Sequence, residues 1–419
     1  MLPETRHENP DWLDALRETG AEVFAATGLP TPANEDWKYS SLRKYEKEGF
    51  QISDIIGEID TNDLPKKLLD KRIVFVNGFF QPRLSDQVEG LKAVSLLDWL
   101  SNEPEAVQEN LVDVGNLSDM PLKAENTAHI RDGVALVLDA GVHIEKPIEI
   151  LYLSTTKGVE VKPKYYLRNL FVLHDGAHLN VLENYQGQGT YAVNHVCDIA
   201  LHENAEFKHY RLQNEDKNAY HFCHTRLMHH ARSSYETVTC TRGACFSRHD
   251  IQSLLIGAEV SCNINGLYML NGVQHFDTKI LADHMEPNGV SKQLYKGILD
   301  DETRAVFQGK VHVRRPAQGT DGRQLSHAVL LSTAAEIDAK PELEIYADDV
   351  QCAHGATSGA LDEDPLFYMQ SRGIPKDQAR RLLLGSFLSE VIEDIDCAAI
   401  QSIFQAQIDD WLLSHQGAL

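Results

Sequence analysis

A spacing of nearly constant length constrains the fold of this chain most strongly. Between about residues 125 and 355, short runs of alternating apolar residues are separated by tight corners. A short motif recurs in this region and consists of a small or polar residue, then alanine, then a polar residue. The alanines of this motif are Ala177, Ala205, Ala231 and Ala258, which lie 28, 26 and 27 positions apart. Strands that repeat at such a period without helical patterning indicate stacked coils rather than a closed globule.

The alternation within each copy predicts one dry face and one wet face. Residues two apart in a strand share a face, so Ala177, Leu179 and Val181 should point one way and His178 and Asn180 the other. About eight or nine coils would fill the region at this period. An antiparallel sandwich also has short alternating strands, but hairpin dipeptides are scarce here. The pattern favours a mainly β protein built on a parallel β-helix.

Length and charge exclude several classes of protein. A chain of 419 residues has room for two or three structural units. Because 62 acidic residues face 39 basic ones, for a net charge of -23, we expect no nucleic-acid partner. The chain has no apolar run of about 18 residues and no secretory signal at its start, so we expect no membrane partner. Seven scattered cysteines suit a reducing cytosol, which predicts a cytoplasmic protein.

Changes in periodicity divide the chain into three predicted parts. Residues 1–120 form an N-terminal helical region that includes a short hairpin turning at Asn77-Gly78. Residues 121–357 form the parallel β-helix core. Residues 358–419, where the period changes from 2 to 3.6, form a C-terminal helical domain.

The C-terminal domain is predicted to contain three helices. Asp364 should cap the first, which stops at Gly373, and Pro375 should begin the second, which continues to about Asp394. Asp396 should cap the third.

The second of these helices is apolar on two sides. One stripe contains Ala379, Leu382, Leu383, Ser386, Phe387 and Val391, and the other contains Leu384, Leu388, Ile392 and Ile395. A helix with two apolar sides must bury both. One side can dock on the β-helix or on the neighbouring helices. The second side either joins a three-helix core or binds another protein.

Cys352 and His354 are the strongest candidates for chemistry. Residues two apart in a strand point the same way with Cα atoms about 6.5 Å apart. A thiolate and an imidazole at that spacing can share a soft or borderline metal, or carry sulfur. Two ligands do not close a four-coordinate site, so further groups must come from elsewhere. A Cys-x-His pair taken alone is more often structural, and its facing in the coil stays open.

Other groupings carry weaker signals. The segment from His221 to His224, with Cys223, and the His229-His230 pair lack a second cluster at zinc-finger spacing. Cys262 has inward parity, which indicates an ordinary buried thiol. Asp300-Asp301-Glu302 could form a carboxylate site like those of β-helical polysaccharide enzymes, although a solvated corner is the favoured interpretation. The chain has no phosphate-binding loop and no nucleophile elbow, so we expect no nucleotide hydrolysis by this chain alone.

Several segments together resemble the SufB/SufD family of Fe–S cluster assembly proteins. The resemblance covers both ends and most of the middle of the chain, in the segments Gly28–Thr31, Asp36–Tyr39, Phe75–Gly78, Tyr295–Asp300, Arg304–Gly309, Lys340–Asp349, Cys352–Thr357 and Leu366–Ile374. It implies a right-handed parallel β-helix flanked by helical N-terminal and C-terminal regions, in agreement with the periodicity.

The resemblance also implies a function and partners. It implies a non-enzymatic scaffold subunit of the SufBCD complex, which pairs with SufB through the β-helix core and binds the ATPase SufC through C-terminal helices. The residues expected to contact SufC are Leu384, Phe387, Leu388 and Ile392. The isolated chain would hold no stable cofactor. Iron or a nascent Fe–S cluster would be present transiently at the subunit interface, and ATP would act only through SufC.

For the metal, the resemblance implies a role for the Cys-x-His-Gly-Ala-Thr segment. The histidine of this segment lies at the family's subunit interface, which carries over to His354 with Cys352 beside it. Gly355 stands where SufB has a glutamate, and Ser326 stands near the position of a SufB cysteine. The segment Leu325–Ala328 departs from the family's polar run, which leaves open the groups that line the interface.

Two functions of other classes stay open on the sequence alone. One is a β-helical polysaccharide hydrolase or lyase, and the other is a metal-free structural homodimer. The sequence also leaves open whether the isolated chain forms a homodimer and whether it binds a reduced flavin.

Overall fold

The computed structural model describes residues 10–55, 59, 64–92, 94–111 and 115–415. Its helices are α1 (Asp11–Thr27), α2 (Arg43–Glu48), α3 (Leu96–Asn102), α4 (Pro104–Leu111), α5 (Pro121–Ala128), α6 (Glu363–Ser371), α7 (Lys376–Ser389) and α8 (Ala398–Ser414). None of the helices in these ranges combines the length and apolar character that crossing a bilayer requires. All seven cysteines are free thiols.

Nineteen strands form two long sheets. They are β1 (Gln51–Ile52), β2 (Lys71–Val76), β3 (Phe79–Phe80), β4 (Ala135–Leu138), β5 (His143–Thr155), β6 (Pro163–Leu173), β7 (His178–Gln188), β8 (Ala192–Leu201), β9 (Glu206–Asn214), β10 (Tyr220–His229), β11 (Ser234–Thr241), β12 (Phe246–Leu255), β13 (Ser261–Leu270), β14 (His275–His284), β15 (Val290–Leu299), β16 (Arg304–Val313), β17 (Thr320–Leu330), β18 (Glu336–Ile345) and β19 (Val350–Gly359).

The two sheets confirm a parallel β-solenoid. From β5 onward the odd strands follow one another in the ten-stranded sheet, and the even strands from β6 to β18 do so in the nine-stranded sheet. Each coil therefore gives one strand to each sheet, and neighbouring coils pair in parallel. The stack has about seven turns, fewer than the eight or nine estimated from the spacing.

The predicted dry face lines the interior of the solenoid. Ala177, Leu179 and Val181 are almost completely buried, whereas His178 and Asn180 on the other face are half-buried. Aliphatic and aromatic side chains from successive coils continue this interior as one core. The period-2 pattern of the sequence therefore predicts the facing of these residues correctly.

The alignment of the repeats by alanine is wrong by two residues in two coils. Strand pairing places Ala177 beside Ala205, but the next residues in this column are Ser233 and Val260, not Ala231 and Ala258. What recurs is a left-handed backbone position just before each of these residues, and its occupants are Gly176, Asn204, Arg232 and Glu259, with φ of 65, 57, 58 and 60°. The backbone conformation of the corner is therefore repeated from coil to coil, whereas the alanine is not.

The N-terminal region contributes strands to the solenoid. The hairpin turn at Asn77-Gly78 is confirmed, with φ of 49° and 89°, and its second strand is the two-residue β3. Strand β2 also pairs in parallel with β5, so the ten-stranded sheet begins before residue 121. Trp37 is buried with the Arg248 guanidinium 4.0 Å from its ring centroid, so this segment packs on the solenoid.

The C-terminal region contains the three predicted helices with shifted ends. Asp362, not Asp364, caps α6, because its carboxylate accepts the Asp364 backbone N–H at 3.0 Å. Helix α7 ends at Ser389 and is followed by turns up to Asp394. The N-cap of α8 is Cys397 rather than Asp396, whose carboxylate pairs instead with Lys208 of the solenoid at 2.5 Å.

Candidate functional site

The last coil of the solenoid is open. Strands β18 and β19 end the two sheets, so each has one edge that no strand of the described residues covers. Most residues of both strands are exposed or half-buried. Unpaired strand edges are templates for pairing with another chain.

Cys352 and His354 lie on β19 at this open end and face the interior side of the coil. The strand register aligns Cys352 with Gly322 and His354 with Gln324. Both Gly322 and Gln324 are buried in the interior, and residues at the same register position share a face. Because no coil follows, His354 is exposed and Cys352 is only partly buried.

The surroundings of the pair are polar on one side and apolar on the other. His354 is the last residue of an interior column that also contains Gln293 and Gln324. In this column the Gln324 side-chain amide donates a hydrogen bond to the Gln293 side-chain oxygen at 2.9 Å. Cys352 packs beside the small apolar cluster of Val311 and Val313, and this burial raises the pKa of its thiol.

Taken as metal ligands, Cys352 and His354 would form an incomplete set. A thiolate and an imidazole suit borderline metals, but a tetrahedral site needs four ligands. Within the described part of the chain, no third His, Cys, Asp or Glu ligand atom groups with Cys352 and His354. A metal bound by Cys352 and His354 would therefore need ligands beyond those that the described residues group with them.

Three of the four residues expected to contact SufC are buried inside this chain. Leu384, Leu388 and Ile392 are at most 2% exposed, in a cluster with α8 and the outer face of the ten-stranded sheet. Phe387 is partly buried, with the Lys296 Nζ atom 4.6 Å from its ring centroid. Partner binding by these four residues stays a prediction, but contact with the buried ones would require α7 to move.

The apolar surface that the C-terminal helices leave open consists of other residues. Phe367 and Tyr368 of α6 are 73% and 59% exposed, Leu382 of α7 is 51% exposed, and Leu413 of α8 is 56% exposed. The Leu384 stripe is thus buried in the chain's own core, whereas part of the Leu382 stripe is exposed to solvent.

The acidic segment at residues 300–302 shapes a corner between coils. Asp301 has a left-handed backbone with φ of 52°, and its carboxylate accepts the Gly272 backbone N–H at 2.8 Å. Asp300 is buried and its carboxylate accepts the Asp301 backbone N–H at 2.8 Å. These contacts agree with the structural interpretation of the segment rather than with an acid and base pair.

One grouping of ligand-type side chains is visible only in the structure's register. The sequence predicts no second cluster for His221 and Cys223 of β10, but His195 of β8 lies beside them in the solenoid interior. The signal was present in the spacing, because His195 and Cys223 are 28 residues apart, which is one coil.

Comparison with known proteins identifies the family. Residues 4–150 match the model described as "SufBD protein N-terminal region", and residues 155–387 match "SUF system FeS cluster assembly, SufBD core domain". An iron-sulfur cluster assembly SufBD family protein of Synechocystis is 31% identical, over 92% of this chain and 88% of the relative. The iron-sulfur cluster assembly protein SufD of Escherichia coli is 32% identical, over 88% and 85%. The chloroplastic protein ABCI7 of Arabidopsis thaliana is 32% identical, over 91% and 82%. With both models together covering most of its length and relatives of this extent, the chain belongs to the SufBD family of iron–sulfur cluster assembly proteins.

Proposed function

We propose that this protein is the SufD-type scaffold subunit of a SUF complex and is not itself a catalyst. It pairs with a SufB-type subunit through its open last coil and binds a SufC-type ATPase through its C-terminal helices. At the subunit interface His354, with Cys352 beside it, contributes to iron entry and cluster formation. The observation that carries the proposal is the thiol and imidazole pair on the interior side of an uncovered edge strand.

The open coil suits pairing with a related solenoid. A second parallel strand on β18 or β19 would satisfy backbone groups that otherwise face water. Apolar side chains flank this end, since Leu325, Ile345 and Tyr346 are 42%, 39% and 55% exposed. Burial of these side chains against a partner would add to the hydrogen bonds of the extended sheet.

Iron fits the chemistry of the pair as a transient substrate. Imidazole nitrogen and thiolate sulfur are the ligand types of iron and of Fe–S clusters. Because Cys352 and His354 are an incomplete ligand set, they favour iron that is bound transiently and then transferred. The partner subunit would supply the remaining ligands.

The test replaces His354 by alanine in the complete complex and measures Fe–S cluster formation under anaerobic reconstitution. We expect a large loss of cluster yield while gel filtration shows the complex still assembled. His327→Ala is the matched control, because His327 is a half-buried histidine of the neighbouring strand β17 on the face opposite that of His354, where its ring contacts the Thr357 hydroxyl. A yield that is unchanged in His354→Ala removes this residue from the proposed role.

The ATPase partner is tested on the exposed side of the C-terminal helices. Leu382→Asp should weaken SufC binding and leave the fold intact, because this side chain is 51% exposed. Leu388→Asp is unsuitable, since a buried charge would unfold α7. SufC binding that Leu382→Asp leaves at full strength would place the contact elsewhere.

The same reconstitution separates the two other candidate functions. A metal-free homodimer would show a stable dimer of the isolated chain and no cluster with or without the partners. A polysaccharide hydrolase or lyase would show turnover by the purified chain. Seven free thiols support a reducing compartment such as the cytoplasm, while the chloroplastic relative shows that location varies within the family.

A further inference from the structure

Three ligand-type side chains meet inside the solenoid, in coils far from the open end. The register aligns His195 of β8 with Cys223 of β10, and His221 precedes Cys223 by two positions on the same inward face. His195 is completely buried, and His221 and Cys223 are 2% and 4% exposed. One ligand atom from each lies within 4.8 Å of the other two.

The separation of two of these atoms already matches a metal site. The Cys223 Sγ atom lies 3.5 Å from the His195 Nδ1 atom. This nitrogen also lies 2.9 Å from the Tyr185 hydroxyl, a contact that a bound ion would replace, whereas His249 has contacts at both of its ring nitrogens. Zn–S bonds of about 2.3 Å and Zn–N bonds of about 2.1 Å at a tetrahedral angle place sulfur and nitrogen about 3.6 Å apart. The third ligand atom lies within 4.8 Å of the other two, so an inward shift of at most about 1.2 Å brings it to the same separation.

His221 lies beside a buried carboxylate, as metal-binding histidines commonly do. Its Nδ1 atom lies 2.8 Å from the Glu215 carboxylate, which is also buried. Neither ring nitrogen of His221 makes a hydrogen bond of good geometry among the described residues. Unsatisfied buried nitrogens call for an explanation, and an ion bound at Nε2 supplies one.

The nearby histidine of the next coil is already occupied by other contacts. His249 aligns with Cys223, but its Nε2 atom lies 2.8 Å from the Thr225 hydroxyl and its Nδ1 atom 2.9 Å from an Arg211 nitrogen. The candidate ligand set therefore stays at three protein groups with one open position.

Buried acidic groups surround the three side chains. Glu183 and Glu215 are buried carboxylates, and Glu183 already has two basic partners, the Arg211 Nε atom at 3.1 Å and the His209 Nε2 atom at 3.0 Å. A Cys223 thiolate would add a buried negative charge beside Glu215 and His221. Buried charge must be compensated, and a divalent cation bound by Cys223 would do so.

We propose that the solenoid interior holds one divalent transition-metal ion of the zinc type, bound by His195, His221 and Cys223. The ion ties together two successive coils and is a resident structural ion. It is independent of the Cys352 and His354 pair, which lies on β19. Nitrogen and sulfur ligands select a borderline ion such as Zn²⁺ over Mg²⁺ or Ca²⁺.

The test measures metal content in the full-length chain. The background carries Cys352→Ala and His354→Ala, so that the edge pair contributes nothing and the outcome does not depend on the proposed function. The background protein, produced in cells grown with zinc, should contain about one zinc ion per chain. Inductively coupled plasma mass spectrometry measures this content. Cys223→Ser should reduce the content at least tenfold. Cys262→Ser should not change it, because that buried thiol contacts only the Ser253 hydroxyl among the polar side chains described.

Absence of zinc from the background, or full retention in Cys223→Ser, would overturn the proposal. If Cys223→Ser does not fold, the proposal is tested with cobalt instead. The background protein is then prepared from cells grown with Co²⁺, and its absorption spectrum is measured. A thiolate-to-cobalt charge-transfer band with the absorption of tetrahedral cobalt supports the site. A folded, cobalt-exposed protein without this band refutes it.

Discussion

Replacing Leu388 by alanine should loosen the C-terminal helices while leaving the solenoid intact. The Leu388 side chain is completely buried, in a cluster that joins α7 to α8 and to the outer face of the ten-stranded sheet. Truncation removes apolar contacts on both sides of α7 and leaves a cavity that the surroundings fill only in part.

The size of the effect follows from the burial. A buried leucine replaced by alanine costs about 2–5 kcal/mol, and we take about 3 kcal/mol for this site. Because about 1.4 kcal/mol corresponds to a factor of ten, the population of the opened helices should rise by about 100-fold. Leu382→Ala is the same chemical change on the same helix at a 51% exposed position, and it should cost less than about 0.5 kcal/mol.

Hydrogen–deuterium exchange with mass spectrometry resolves this local effect. Peptides from α7 and α8 should lose about two powers of ten in protection in Leu388→Ala and about a factor of two at most in Leu382→Ala. Peptides from β10 to β14 serve as the internal reference and should not change. Equal protection in the two variants would refute the assignment of Leu388 to the core. An equal loss in the solenoid peptides would show that the C-terminal helices do not open as a separate unit.

Three further changes test other parts of the structure. Glu149→Gln should destabilise the protein by about 3–5 kcal/mol in urea unfolding, because Arg72 is buried with it at 2.9 Å and would keep an uncompensated charge; an effect under about 1 kcal/mol would contradict this. Burial lowers the pKa of His284 to about 4, so its contribution to stability is complete above about pH 6.5 and is lost at about 1.4 kcal/mol per pH unit as pH falls toward 4. His284→Gln should therefore lose less stability than the wild type between pH 7 and pH 5, and parallel losses would argue against a buried neutral imidazole. Gly133→Ala should lower the melting temperature, because the new Cβ would lie 2.2 Å from a backbone carbonyl oxygen, whereas Gly359→Ala meets nothing within 4 Å and should be neutral.

The sequence by itself determined the class of fold. Alternation with period 2 and a nearly constant coil length are local properties, and each follows from strand geometry without knowledge of the neighbours. Leu179 and Val181 were assigned to the interior for this reason, and both are buried. The C-terminal helices follow equally from the change of period to 3.6 after the last strands.

Only the tertiary structure decided which residues meet between coils. Corner lengths differ by a residue or two, so Ser233 rather than Ala231 joins the column of Ala177, and the pairing of strands is needed to see it. His195 and Cys223 are one 28-residue coil apart, so the spacing allows their contact, and the strand pairing shows that they meet.

Burial at the two surfaces of interest also depends on the assembled fold. Leu384 and Leu388 are covered because α7 lies on the outer face of a sheet whose strands come from distant parts of the sequence. Cys352 and His354 have an inward register position, yet His354 is exposed because the stack ends at their coil. A strand pattern predicts on which face of the sheet a side chain lies. Whether another coil covers that face depends on where the solenoid begins and ends.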